Sequence, residues 1–478
     1  MDIHELFLSC RRGDLGRVKY LVEQKEVELN VRDKWDSTPL YYACLCGHLD
    51  LVKYLLENGA RCEANTFDGE RCLYGALNND IRNILRSYHA VSTHTMRRED
   101  FGEFLRILHV NGELSDLKFI VNGHEFLVHG CILAARSSYF CDQLLGRWAG
   151  RKTIVTNNPL IRPDAFRAML QFLYTARMEG PVEIVEDCLR LALQIGRPEL
   201  KKYLTDAVRK ITSFECTKPG TNVKTFLVEP PEAQEELTQD LGIMAEQAMP
   251  CELTRWVGGE HLPLMPRVPL QFVDVVFQVD GHRFFCHQVF FVCRSEYFRG
   301  LLANHFEEFQ RDSELNCPIV PLKEVSCDVF TAILHYLYTN QPQLDGSIVL
   351  EVLEAAEMFL LSGLKRQCGT FLATQLTLGN SVDIYRLSRT FQLPRLEDQC
   401  CEFFANNIEH MVERSDFRDI VKETAQEVHG REETDTIPVI DDIRYHINGE
   451  IQTMSELEEA ERRLRIIDAL LEDLELDA

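Results

Sequence analysis

Apolar and polar residues alternate over two widely separated stretches of the chain. Val275, Phe277 and Val279 alternate with Val276, Gln278 and Asp280 before an Asp-Gly step and a second apolar run at Phe284 and Phe285. Phe119 and Val121 lead into Asn122-Gly123 in the same way. Both stretches predict strand, tight turn, strand, because Asp-Gly and Asn-Gly tolerate the positive φ such turns need. An apolar helix follows each, carrying Leu133, Ala134 and Ala135 or Val289, Phe290 and Val292, and each closes on Ser-x-Tyr-Phe. Asp116, Gly123, His129, Ser137, Tyr139 and Phe140 return at 274, 281, 287, 295, 297 and 298, always 158 positions later (274 minus 116). The run Phe172 to Thr175 returns at Tyr336 to Thr339, 164 positions later (338 minus 174). Landmarks in step, with six residues added once, describe a duplicated domain.

Helical spacing fills most of the remainder. Phe101, Phe104, Leu105 and Leu108 fall at i, i+3, i+4 and i+7 just ahead of the first copy. The second copy is preceded instead by LPLMPRVPLQFV, whose three prolines oppose a long helix, so the copies are not equivalent. Residues 348 to 419 are helical in pattern almost throughout. In the tail, Leu457, Ala460, Leu464, Ile467, Leu471 and Leu474 form a stripe at alternating spacings of three and four. So short a stripe, flanked by Glu461, Asp468 and Glu475, is expected to pack on its own protein or on a different partner helix, not on itself. The first 90 residues repeat instead with a period of 33 or 34: Gly13-Asp14-Leu15 with Val18 and Leu21 returns as Gly47-His48-Leu49 with Val52 and Leu55.

These residues carry resemblances. STPLYYACLCGHLDLVKYLLENGA, Ser37 to Ala60, closely resembles the ankyrin repeat, with Tyr41 in place of the usual His. A third, shortened unit starts at Phe67, with Arg71-Cys72 where Thr-Pro is usual. The duplicated stretches resemble the BTB/POZ domain: an Asp-led hairpin, a His, an SxYF helix end and a later LYT helix. The segment from Leu350 to Ile408 resembles the end of a BTB domain and the helical BACK domain that follows it in Kelch-type adaptors. The whole layout resembles the ankyrin repeat and BTB/POZ domain-containing proteins of the short, tandem-BTB type. The expected fold is multidomain α+β: an N-terminal ankyrin α-solenoid, two BTB/POZ α+β domains, a helical BACK-like segment and a C-terminal helix. The expected boundaries are ankyrin repeats at 1–90, the first BTB with its preceding helix at 91–211, and a linker with one helix (Glu232 to Ala248) at 212–266. The second BTB is expected at 267–370, the BACK-like segment at 371–450 and the amphipathic helix at 451–478.

Charge and cysteine usage narrow the function. A net charge of −24 opposes a broad role on nucleic acid or anionic membrane. The 17 cysteines are scattered without a CxxC pair and read as reduced thiols of an intracellular, cytoplasmic protein. The start lacks the basic and apolar regions of a signal peptide, and no stretch is apolar enough to span a bilayer. His-x4-His spacing recurs at His89, His124 and His282, but without paired cysteines it does not specify zinc. No phosphate loop, GxSxG elbow, HExxH or EF-hand pattern occurs. His129 and His287 are the acid–base candidates, with Asp116 and Asp274 thirteen residues upstream to orient them. The competing reading, a buried His satisfying backbone groups, is preferred. No catalytic residue, cofactor or metal is therefore expected.

The resemblance implies a protein–protein adaptor, with partners rather than substrates of chemistry. BTB repressors carry a basic residue after the conserved His; Gly130 and Gln288 stand there instead, which opposes that class. Cullin-binding BTB proteins carry an apolar-x-Glu motif after the SxYF helix. The second copy has Phe306-Glu307-Glu308, whereas the first has Trp148-Ala149-Gly150. Phe306, Glu308 and Tyr338 are the expected cullin-docking residues. Trp35, Tyr41 and Phe67 are the expected substrate anchors on the ankyrin repeats, where aromatic residues dominate hot spots; close packing between helices is the other role open to the tyrosines. Phe101, Phe104, Leu105 and Leu108 are the expected BTB–BTB interface, used within the chain or in a homodimer. The expected function is substrate recruitment to a cullin-RING ubiquitin ligase, or alternatively a non-degradative signalling scaffold.

Overall fold

In the computed structural model, residues 2–87, 101–218, 223–250, 253, 272–304, 310–428, 437–449 and 454–476 are described, apart from the internal positions 24, 26, 63–65 and 313–314. The chain divides into two units, residues 1–341 and 342–478.

Three helix pairs open the first unit: α1 (Asp2–Arg12) with α2 (Leu15–Glu23), α3 (Pro39–Cys46) with α4 (Leu49–Glu57), and α5 (Phe67–Gly75) with α6 (Asn79–Ser87). Thr38 caps α3 by accepting from the Tyr41 amide at 3.3 Å, and Pro39 takes the first helical position, where its missing N–H costs nothing. Gly47 ends α3 at φ +85°. The third helix pair starts five residues earlier than the alignment of Arg71-Cys72 with Thr38-Pro39 implies, because Thr66 supplies the cap and no proline fixes a later start. Arg71 then lies inside α5 and reaches the Asp36 carbonyl at 2.6 Å and the Ser37 hydroxyl at 2.9 Å. Leu6, Val18, Leu21, Leu40, Leu51, Val52, Leu55, Ile81 and Leu85 join one core through all three pairs, as stacked repeats require.

The first BTB copy follows: α7 (Phe101–Asn111), β1 (Leu117–Val121), β2 (His124–Val128), α8 (Gly130–Arg136), α9 (Ser138–Leu145), β3 (Thr153–Thr156), α10 (Pro163–Thr175), β4 (Met178–Pro181), α11 (Val185–Gln194) and α12 (Leu200–Thr217). Next come β5 (Thr225–Val228) and α13 (Pro231–Ala248). The second copy has β6 (Val275–Val279), β7 (His282–Cys286), α14 (Gln288–Val292), α15 (Glu296–Asn304), β8 (Ile319–Pro321) and α16 (Cys327–Thr339). The sheets run β2-β1-β3 and β7-β6-β8, each an antiparallel hairpin with a parallel third strand. Asn122-Gly123 and Asp280-Gly281 all hold positive φ, so both hairpins turn as their dipeptides predict. The duplication therefore extends to topology and register.

Residues 212–266, expected as a linker, hold more than one helix. α12 runs on to Thr217, β5 pairs antiparallel with β4, and α13 packs along α16 with Leu237, Leu241, Met244 and Ala245 fully buried. The three prolines ahead of the second copy, at 263, 266 and 269, lie outside the described residues.

The second unit is helical: α17 (Val349–Met358), α18 (Ser362–Thr374), α19 (Ser381–Thr390), α20 (Pro394–Asn406), α21 (Ile408–Met411), α22 (Ser415–Val428), α23 (Pro438–Gly449) and α24 (Met454–Asp473). Helices α17–α18 and α19–α20 are antiparallel hairpins whose turns place Leu360 and Gln392 at positive φ. Leu364, Cys368, Leu396, Cys400, Phe404 and Phe417 are buried between the helices. The tail helix α24 docks on α21 and α23 through Ala460, Ile467 and Leu471, with Asp468 paired to Arg444 at 3.0 Å and Asp473 to Arg418 at 2.7 Å. Among the described residues no helix is long and apolar enough to cross a membrane.

Candidate functional site

The two BTB copies meet through helices that each serve both domains. Helix α7 packs on α10 of its own copy by Leu105 and Leu108, both buried. From its other side Phe104 reaches Phe290 of the second copy, ring centroids 6.3 Å apart, and stacks against Phe101 at 5.6 Å. The Arg294 guanidinium lies 5.0 Å from the Phe101 ring, 5.5 Å from Phe104 and 4.2 Å from Tyr336. Its nitrogens donate to the carbonyls of Tyr336 and Leu337 and to the Asn340 side chain. Glu113, at the end of this segment, pairs with Arg299 of the second copy. Of the four interface residues expected from spacing, Phe101 and Phe104 thus reach the other copy, while Leu105 and Leu108 are buried in the core.

Helix α13 does the converse. Its buried residues 237, 241 and 244 match the spacing of 101, 105 and 108, so Asp240 occupies the place that Phe104 has in α7. Asp240 crosses to the first copy and pairs with Arg136. Arg136 and Arg294 are themselves equivalent, 158 positions apart, each immediately before Ser-x-Tyr-Phe. Arg136 Nε donates to the Leu173 carbonyl at 3.0 Å, and Arg294 Nη1 donates to the equivalent Leu337 carbonyl. Its side chain is wholly buried, and its Nη2 has no acceptor. Arg197 supports the pair: Nη1 binds Glu236 at 2.6 Å and Nη2 donates to the Arg136 carbonyl at 2.8 Å. Burial pulls the Arg136 guanidinium down and pushes the Asp240 carboxyl up, each against the pull of its partner. One arginine is thus covered by aromatic rings and the other by a carboxylate. An arginine recurring in step ahead of both Ser-x-Tyr-Phe runs is the sequence signal for this pair; for Asp240 spacing gives none.

The recurring histidines are structural. The Tyr174 hydroxyl accepts from the His129 amide at 2.8 Å and lies 2.8 Å from Nδ1, while Nε2 faces the Glu113 carbonyl at 2.7 Å. Tyr338 holds His287 in the same way, at 3.0 and 2.9 Å. Burial lowers both, His287 to about 4, and so favours the uncharged ring. Asp116 and Asp274 do not orient these rings. Their Oδ1 atoms accept from the next residues, the Gly130 amide at 2.7 Å and the Gln288 amide at 2.6 Å, and so cap α8 and α14. A Cβ at Gly130 would lie 2.8 Å from the Phe272 ring, so glycine there admits the segment leading into the second copy. Among the described residues no cluster of His, Cys, Asp or Glu is arranged to hold a metal.

Tyr338 was expected to dock a cullin, but it is fully buried with its ring stacked on Phe290 at 4.2 Å. A helix buried on nearly every side, as α16 is, offers its aromatic residues to the core. Phe306 and Glu308 lie outside the described residues. On the ankyrin repeats Trp35 is 58% exposed, with the Lys34 ammonium 4.2 Å over its ring. Tyr41 is half-buried under the Arg71 guanidinium and against Tyr42, which in turn donates to Asp33 at 2.6 Å. Phe67 packs edge-on against Phe214 of α12 at 5.4 Å. Around it Asp36 pairs with Lys210 at 2.9 Å, Arg61 with Glu229 at 3.5 Å, and Lys218 lies over Tyr74. Trp35 therefore faces solvent, whereas Phe67 belongs to a seam between the repeats and the first BTB copy.

Comparison with known proteins agrees with this architecture. The BTB/POZ domain family matches residues 105–212 and 266–376, and the ankyrin repeats (3 copies) family matches residues 6–90. BTB/POZ domain-containing protein 3 of Schizosaccharomyces pombe is 32% identical over 497 residues, covering 99% of this chain and 90% of that protein. An ankyrin repeat-containing protein of Saccharomyces cerevisiae is 27% identical, covering 93% of this chain and 89% of that one. Kelch-like protein 40 of Xenopus tropicalis is 28% identical over 149 residues, 31% of this chain and 23% of its own. Ankyrin repeats and BTB domains are typical of interaction adaptors that catalyse nothing themselves. With three stacked repeats, two copies of one Asp-led hairpin fold and a relative 32% identical across 99% of this chain, the chain belongs to the ankyrin repeat and BTB/POZ domain-containing proteins.

Proposed function

We propose that this adaptor recruits a substrate protein to a cullin-RING ubiquitin ligase, pairing its two BTB copies within one chain. The observation that carries this reading is how differently the copies continue. The first runs into α12, β5 and α13, which fold back on the ankyrin repeats and the BTB pair. The second runs into the helical hairpins α17–α18 and α19–α20, the kind of extension found in Kelch-type adaptors, and a Kelch-like protein is among the relatives. The second copy also carries Phe306-x-Glu308 after its SxYF helix. Tethering the copies gives each a high effective concentration for the other, so one chain supplies a complete BTB pair. Trp35 is the exposed aromatic anchor for a substrate on the ankyrin repeats.

The test is reconstitution of the purified full chain with a cullin N-terminal domain. Light scattering is expected to give one adaptor chain per cullin, and Phe306→Ala with Glu308→Ala to abolish the complex without changing the melting curve. An unmodified chain that forms no complex with any cullin rejects the ligase role and favours the signalling scaffold.

A further inference from the structure

The outer face of the BTB sheet is treated differently in the two copies. From the Phe of Ser-x-Tyr-Phe to the third strand the second copy is eight residues longer (140 to 153 against 298 to 319), and it is two shorter from there to Phe172 or Tyr336, so the net six residues read from the sequence are two length changes, not one. The described residues of that longer connection, 310–312 and 315–318, lie along its sheet. The Ile319 amide donates to the Gln310 carbonyl at 2.7 Å, Arg311 bridges Pro318, and the Asp312 amide donates to the Cys317 carbonyl at 2.8 Å. Arg283 fixes the turn through Asp312 at 3.1 Å. Beneath it Val276, Cys317 and Ile319 form a small second core, with Phe285 and Leu315 packed on it.

The first copy has the same sheet without that cover. Register puts Lys118, Leu127 and Thr153 where the second copy has Val276, Phe285 and Ile319. Leu127 is 45% and Val155 61% exposed, and half-buried Ile120 lies between Glu125 and Val155. Gly112 abuts Leu127, which brings exposed Leu114 to the same edge. Leu127 and Val155 stand on the two edge strands, diagonal to one another across Lys118 and Ile120 of β1, and exposed apolar side chains on an edge-bearing sheet mark an interaction surface. The rim is basic although the protein is strongly acidic: Arg151 and Lys152 are exposed at the start of β3, and Lys118 is shared with Glu125 alongside.

We propose that this face, Leu127, Ile120 and Val155 with Lys118, Arg151 and Lys152 at its rim, binds an extended acidic segment of a partner protein bearing alternate apolar side chains. The covered copy shows the form of such a ligand, an edge-paired turn that lays apolar side chains on the sheet; the place of Arg283, which there holds Asp312, is taken in the first copy by Glu125, paired with Lys118, so the acidic residues of the ligand meet Arg151 and Lys152 instead. Period-two alternation suits the ligand because only one face of an extended segment meets the sheet. The site is independent of cullin docking, which the proposed function places on the second copy.

The experiment displays a library of short peptides, each with acidic residues and alternating Leu, Ile, Val or Phe, against the purified full chain. Selected peptides are then measured by fluorescence anisotropy. Peptides are expected to bind the unmodified chain, to weaken at least about tenfold with Val155→Glu, the loss of one buried aliphatic contact, and to weaken further with added Leu127→Glu. Binding is also expected to fall with salt and with Arg151→Glu. Unchanged melting of both variants, which alter exposed positions, separates lost binding from lost fold. Selection of no peptide, or of peptides that bind the double variant equally well, overturns the proposal. So does a chain that self-associates until Val155→Glu makes it monomeric, because the occupant is then a second copy.

Discussion

Replacing Asp240 by Ala removes the carboxylate from a guanidinium with no solvent to turn to. The Arg136 side chain is wholly buried, Nε is already committed to the Leu173 carbonyl, and Nη2 has no acceptor. Arg197 does not rescue it, being itself a cation held by Glu236. Breaking a buried pair in this way costs about 3–5 kcal/mol, because the remaining charge stays buried and unpaired. That is a large share of the ~5–15 kcal/mol by which a domain is stable. Replacing both partners, Arg136→Met with Asp240→Leu, leaves no charge behind and is expected to be close to neutral. Burial pulls both groups toward their uncharged forms, the condition under which a pair adds little net stability and yet is costly to break.

The assay is thermal unfolding of the full chain, read together with amide hydrogen exchange along α8 and α13, since a chain of several domains need not melt in one step. At roughly 2–4 °C per kcal/mol for a domain of this size, Asp240→Ala is expected to lower the BTB transition by roughly 6–20 °C and to raise exchange in both helices. The double variant is expected to restore most of that loss. A loss under about 1 kcal/mol for Asp240→Ala, or a double variant no better than the single one, refutes the role given to this pair.

Phe104→Ala removes a ring from Phe290 and from Arg294; about 1–3 kcal/mol is expected from the aromatic and cation–π contacts together, seen as faster proteolysis in α7 at unchanged secondary structure. His446 sits 2.9 Å from Asp398, and that hydrogen bond raises its pKa above the ordinary 6.5. Its stabilisation is therefore full below about pH 6.5 and lost as pH rises through the raised folded value, and a His446→Gln variant is expected to lose this slope in pH-dependent melting. His287 behaves oppositely: burial lowers it to about 4, so its contribution is full above pH 6.5 and lost as pH falls toward 4. Its ring resonances in NMR are expected to stay in the neutral position down to about pH 5, and titration near 6.5 contradicts the burial.

Much of this architecture is readable from residue spacing, and the exceptions share a cause. The hairpins, the His, the SxYF ends and the ankyrin helices follow from local patterns: Asn122-Gly123 turns because of its own φ preferences, and α3 starts where Thr38-Pro39 makes it start. Helix α13 was equally legible as a helix between Glu232 and Ala248, but its partners were not. They are α16, far ahead in the chain, and Arg136, far behind. A docking site is a property of two surfaces, and period in one of them does not name the other. The four-residue strand β5 escaped for the same reason, since its pairing with β4 and not its composition makes it a strand. Tyr338 was misplaced because a helix buried on nearly every side carries no apolar stripe to separate inside from outside.

Duplication within one chain also explains why the matching arginines differ in what covers them. In a two-fold homodimer every contact residue is used twice, so a change that suits one half is imposed on the other. Two copies joined in sequence are free of that constraint. α7 can present Phe101 and Phe104 to Arg294 while α13 presents Asp240 to Arg136, each side altered without its twin. The same freedom lets one copy cover its sheet and continue into helical hairpins while the other leaves Leu127 and Val155 in solvent. A pair built this way presents different surfaces on its two halves, and so can hold unlike partners at once without a second adaptor chain.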